Sequence, residues 1–150
     1  MKKLFKALWA ILATTLDALN LFSNDQAVTD TAVSTNIVDQ GDGKYDGSDR
    51  VVGIFITETF TVLTSLTIAL HHDAVEAFST NGVVFTLPAI TLASGGLAAG
   101  KYYEIPIPVQ ALRYLRMTYT VTGTTAGAGK ITAGIIHKSG TPTAFRDSNL

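Results

Sequence analysis

The chain has 150 residues, a formal net charge of −1 and no cysteine. That length suits one compact domain, and a hydrophobic share of 47% is enough to fill its core. The charge balance leaves no broad basic field for a polyphosphate, and the missing thiols exclude disulfides and thiolate metal sites. Thr, Val, Ala and Gly dominate while charge is sparse, the composition of pleated sheets joined by glycine turns.

Met1 to Leu16 reads MKKLFKALWAILATTL. Lysines followed by an apolar stretch look like a signal peptide. Lys6 interrupts the apolar run, however, and no small-x-small cleavage site follows. Ala7 to Leu16 also falls far short of the roughly 20 residues a bilayer span requires. Leu4, Leu8, Ile11 and Leu12 recur at helical spacing, with Phe5 and Trp9 beside them, so the spacing predicts a short helical arm over residues 1–16. Lys2, Lys3 and Lys6 in its first turns oppose the helix macrodipole, which points to an acidic neighbour or a solvated end. The apolar stripe needs cover, and the main domain, a neighbouring subunit, another protein and a membrane surface are the candidates.

Past Leu16 the helical period fades. Leu19, Leu21 and Phe22 form an apolar knot, followed by the turn-like Ser23-Asn24-Asp25. Ala27 to Val38, dense in Thr and Val, reads as a strand with an irregular centre. Gly41 to Asp49 is a polar loop rich in Gly and Asp. Hard cations want several oxygen ligands, but Asp39, Asp42, Asp46 and Asp49 do not fit an EF-hand and no glutamate closes the loop. A solvated hairpin-type loop is expected. Val52, Ile54 and Ile56 then alternate with Val51, Gly53 and Phe55. Apolar residues on both faces imply burial on both sides or an oligomer contact.

Leu66, Ile68 and Leu70 alternate with Thr67, Ala69 and His71, a half-buried strand. Val83, Phe85 and Leu87 repeat the pattern until Pro88 ends it. Ser94-Gly95-Gly96 is a turn. Tyr103, Ile105 and Ile107 share one face against Glu104, Pro106 and Pro108, whose prolines mark an edge strand. In Arg113 to Thr122, Leu115, Met117, Tyr119 and Val121 share one face. Gly123 to Gly129 is a flexible turn and Lys130 to His137 the returning strand, so the pair predicts a hairpin. Ser139 to Leu150 reads as a polar tail. Short strands separated by glycine turns predict an all-β sandwich or barrel over residues 17–138.

His71-His72-Asp73 is the densest group of potential ligands. Adjacent strand residues point to opposite faces, so the two histidines cannot easily share one metal. His137 could join one of them across strands, but polar strand-end roles are expected for all three. No Gly-x-Ser-x-Gly turn, phosphate loop or dinucleotide fingerprint appears. No catalytic residue, cofactor or metal is therefore nominated, and the chain is not expected to be an enzyme.

Several stretches resemble the cement, or capsid-decoration, proteins of tailed bacteriophages. They are Leu16 to Ser23, Gln26 to Thr29, Ser34 to Asn36, Thr64 to Leu70, Ala77 to Ser79, Arg113 to Arg116, Tyr119 to Gly123 and Gly129 to Gly134. They follow the family's order. The helix-like start and the long Gly41 to Asp49 loop depart from its pattern. The resemblance implies a jelly-roll-like antiparallel β-sandwich that forms a dimer or trimer on the outer capsid surface of the virion. It would bind the major capsid protein and clamp neighbouring capsomers without a covalent link. Neither nucleic acid nor a membrane is expected as a partner. Phe5, Leu8, Trp9, Leu12, Leu19, Leu21 and Phe22 are the candidate partner-interface residues. The alternative is a carbohydrate- or receptor-binding sandwich on a fibre or secreted adhesin, with Trp9, Tyr45, Tyr102, Tyr103 and Tyr114 free to stack on sugar rings.

Overall fold

The computed structural model describes residues 18–41 and 50–137. The helical arm expected over residues 1–16, most of the polar loop and the tail from Ser139 lie outside the described residues. Ten strands follow in chain order: β1 (Leu21–Ala27), β2 (Ala32–Val33), β3 (Val38–Asp39), β4 (Arg50–Thr61), β5 (Ser65–Asp73), β6 (Gly82–Thr86), β7 (Ile90–Thr91), β8 (Tyr102–Pro106), β9 (Tyr114–Thr122) and β10 (Ala128–His137). The described helical pieces are two short 3-10 turns, Ala18–Asn20 and Leu92–Ser94.

One sheet has four strands in the order β1-β10-β4-β8. The other has six, β2-β9-β5-β6 with β3 also on β9 and β7 also on β5. All pairings are antiparallel. Apart from β2 to β3 and the run β5 to β7, each connection carries the chain from one sheet to the other. This double Greek key is the jelly roll.

The core lies between the sheets. Val52, Ile54 and Ile56 of β4 and Ile131, Ala133 and Ile135 of β10 face Leu66, Ile68 and Leu70 of β5 and Leu115, Met117 and Tyr119 of β9, all buried. Strand alternation places each set on one face. Ile105 of β8, the edge strand marked by Pro106, and Ile107 just beyond it close the core.

A polar thread, buried at Ser23 and Tyr119, crosses the core edge. Ser23 Oγ donates to Gln26 Oε1 at 2.6 Å and stands 2.7 Å from the Tyr119 hydroxyl. Ser23 has one hydroxyl proton, so Tyr119 is the donor to Ser23. The bond ties β1 of one sheet to β9 of the other. Gln26 continues the thread, accepting from Thr35 N–H and donating to the Val33 carbonyl. Burial raises the Tyr119 phenol above its ordinary pKa, and the bond to Ser23 only partly opposes this.

Three local expectations are corrected. The β9 and β10 segments do not form a hairpin: β9 pairs with β5 and β10 with β4 and β1, so Gly123 to Gly127 bridges the sheets. Both strands carry an inward apolar row, and crossing over lets the two rows pack against each other. Ser23 to Asp25 is not a turn but a bulged part of β1, with register shifts on both sides of Ser23 and a positive φ of 49° at Asp25. In β6 a register shift against β5 turns the pattern over. Val84 and Leu87 pack on the core, while Val83 and Phe85 are exposed.

Candidate interaction surfaces

Alternation along the four-stranded sheet directs Val51, Gly53 and Phe55 away from the core. Thr132, Gly134 and Ile136 of β10 and Tyr102, Glu104 and Pro106 of β8 lie in register beside them. Leu21, Gly134, Gly53 and Glu104 form one row across the sheet. A Cβ on Gly53 would collide with Ile136 Cδ1 and meet Tyr102 Cε2 at 3.2 Å. The glycine thus lets both side chains lie flat across β4. The Phe55 and Tyr102 rings sit 4.5 Å apart. Tyr102 Oη donates to Glu104 Oε1 at 2.8 Å, and burial together with Glu104 pushes its phenol pKa up. The outward face of these strands is therefore an apolar floor bounded by a carboxylate. Further along, the surface turns polar. Lys130 Nζ stands 3.1 Å from Glu58 and 3.5 Å from Asp25, and these carboxylates, Glu58 first, raise its pKa.

One end of the sandwich is charged. Arg113 donates through Nε and Nη2 to both Asp39 oxygens at 2.8 Å, and Gly41 N–H adds a third bond. Chiefly through Arg113, the Asp39 carboxyl is held down to about 2. Asp73 is buried and accepts from the backbone N–H groups of Val75, Thr80 and Asn81 at 2.7–3.1 Å, which lower its pKa. That carboxylate closes the 74–81 loop. Arg116 lies 4.3 Å over the Phe78 ring and donates to Asn81 Oδ1.

His71 Nε2 is 3.0 Å from Thr118 Oγ1, whereas His72 Nδ1 accepts from Leu112 N–H. The two rings serve different neighbours on opposite faces, as alternation requires. Burial lowers the His71 pKa; the Arg116 charge acts with it, against hydrogen bonding to Asn81. The side chain of His137 is outside the described residues. Among the described residues, no cluster of three or more His, Cys, Asp or Glu could hold a metal ion.

The opposite end is built from Thr, Gly and Val. Leu63 N–H donates to the Thr61 carbonyl at 3.0 Å across Val62, whose φ is 77°. This is a tight γ-turn of the strained sense, with a β-branched residue in a region such side chains avoid, and Val62 is exposed. Ala126 N–H to Thr29 O and Gly127 N–H to Thr61 O lace the three connections of this end together.

Exposed apolar side chains gather at rims. Val33 and Ile37 lie by one edge of the six-stranded sheet and Val83 and Phe85 at the other. Val75, Val109 and Leu112 cap the charged end. Of the expected interface residues, Leu19 is 83% exposed, Leu21 half-buried and Phe22 fully buried. Phe22 thus belongs to the core and offers no surface to a partner. Phe5, Leu8, Trp9 and Leu12 lie outside the described residues, as does Tyr45. Tyr103 donates to the Gly96 carbonyl, Tyr114 lies under Arg113 and Tyr102 packs on Phe55, so each described tyrosine of the sugar-binding alternative already has a neighbour.

The doubled apolarity of β4 is visible in the sequence, whereas the floor it builds is not. The paired glycines 53 and 134 were its available sign. The Asp73 anchor had no sequence signal, because its partners are backbone groups of its own loop.

The strand order and these surfaces define a jelly-roll β-sandwich protein. The chain belongs to the Bbp16 family, which it matches over residues 22–135. A crystal structure of PirA is similar to it at 17% identity, covering 78% of this chain and 94% of that chain with a TM-score of 0.44. No curated protein matches the sequence.

Proposed function

We propose that this protein is a non-enzymatic capsid cement, or decoration, protein of a tailed bacteriophage. It binds the outer surface of the virion shell and clamps neighbouring capsomers without a covalent link, acting as a dimer or trimer. The observation that carries this reading is the ordered series of stretches from Leu16 to Gly134 that resembles such proteins. The geometry supports it in two ways. A jelly roll laced across its core is a rigid body that presents edges and loops. Its exposed apolar side chains, including Val33, Ile37, Val83, Phe85 and Leu112, are distributed around the rims, where a clip touches several neighbours at once.

Stapling follows from mass action: a protein that binds only the closed lattice stabilises that lattice. Individually weak contacts add when repeated by a symmetric oligomer. The test is sedimentation of the purified chain alone and with phage shells. A dimer or trimer that co-sediments with shells and raises their melting temperature is expected. A monomer without shell affinity overturns the proposal.

A further inference from the structure

The apolar floor on the outward face of the four-stranded sheet has no helix or further sheet packed on it among the described residues. We propose that its occupant is the amino-terminal segment of the same chain, residues 1–16, seated as an amphipathic helix across the row Leu21–Gly134–Gly53–Glu104. This goes beyond the shell-binding reading and does not depend on it.

Three observations converge. The first is where the segment ends. It leads through the 3-10 turn Ala18–Asn20 into Leu21, the first residue of that row, on edge strand β1. A segment turning back at Ala18 therefore starts beside this floor. The second is length. Three strand spacings separate Leu21 from Glu104, about 14 Å at roughly 4.8 Å each. A helix from Leu16 back to Lys6 covers about 15 Å at 1.5 Å per residue.

The third is complementarity. The stripe Leu4, Phe5, Leu8, Trp9, Ile11 and Leu12 matches a floor of Ile136, Phe55 and Tyr102, kept flat by Gly53. At the far edge the Glu104 carboxylate, already accepting from Tyr102, would give Lys6 an acidic neighbour, the first of the two settings that lysines at a helix start allow. Covering the floor also accounts for the doubled apolarity of Val51 to Phe55, since a strand apolar on both faces needs two partners. On this reading Phe5, Leu8, Trp9 and Leu12 seat on their own domain, and tethering favours that over a second molecule.

Trp9 is the chain's single tryptophan, so its fluorescence reports the arm directly. In the purified full-length chain its emission should be blue-shifted and protected from acrylamide, unchanged on serial dilution. Ile136→Glu should move the emission to the red and restore quenching. Tyr102→Ser, which changes an outward and partly exposed residue, should do the same with the fold intact by circular dichroism. Solvent-like Trp9 emission in the parent chain overturns the proposal. So does a blue shift lost on dilution, which assigns the floor to a second copy. An unchanged blue shift in folded Tyr102→Ser places the arm elsewhere and likewise overturns it. Shell binding enters none of these readouts, so failure here is separable from failure of the cement reading.

Discussion

The hydroxyl thread through Ser23 and Tyr119 gives two substitutions whose costs should differ in a stated order. Tyr119→Phe removes the donor. Ser23 Oγ keeps its bond to Gln26 Oε1 at 2.6 Å, so no buried proton is orphaned. The expected loss is that of one net hydrogen bond, about 1 kcal/mol. Ser23→Ala is worse. It leaves the Tyr119 hydroxyl, on a wholly buried ring, with its proton unpaired, while Gln26 Oε1 still accepts from Thr35 N–H. An orphaned buried donor costs about 1–3 kcal/mol. The double variant removes both partners and should recover part of the sum, giving a coupling on the order of 1 kcal/mol. Thermal unfolding followed by circular dichroism measures all three, each kcal/mol moving the melting temperature by about 2–4 °C in a domain of this size. Tyr119→Phe costing more than Ser23→Ala, or strictly additive losses, would refute the assigned direction of the bond.

Other positions give shorter tests. Gly129 has φ 142° and a Cβ placed there would enter the Phe60 ring, so Gly129→Ala should lose at least about 2 kcal/mol of unfolding free energy by strain and overpacking together. At Val62, with φ 77° and 60% exposure, Val62→Gly should instead stabilise by about 1 kcal/mol, because relief of strain exceeds the added freedom of the unfolded chain; calorimetry showing a lower melting temperature contradicts that. The His71 pKa is lowered in the folded chain from the usual 6.5, so below 6.5 the unfolded chain binds the extra proton first. Its contribution is fully present above that value and declines as the pH falls toward the folded pKa. A His71→Gln variant should show a flatter stability profile between about pH 7 and 5, and an unchanged slope would remove His71 as the cause.

Strand faces were legible in the sequence wherever alternation ran undisturbed. Leu66, Ile68 and Leu70, and Leu115, Met117 and Tyr119, all point inward as their spacing predicts. Pro106 marked β8 as an edge. The rule failed where one extra residue enters a strand: the shift in β6 exchanges Val83 for Val84, and that in β1 makes a strand of an apparent turn. No local pattern announces such a bulge, because its cause is the neighbouring strand. The candidate surfaces were legible only in outline. The doubled apolarity of Val51 to Phe55 was visible, but Ile136 and Tyr102 reach that floor from distant parts of the chain.

The sequence by itself determined that the chain makes sheets, which side chains of most strands face inward, and that thiol chemistry is absent. These follow from composition and a two-residue period, properties of short segments. The tertiary structure alone decided which strands are neighbours. It sent β9 and β10 into different sheets, drew Phe22 into the core and set Gly53 beside Gly134. Pairing depends on closing long loops so that two apolar faces meet, a condition on the whole chain that no single segment records.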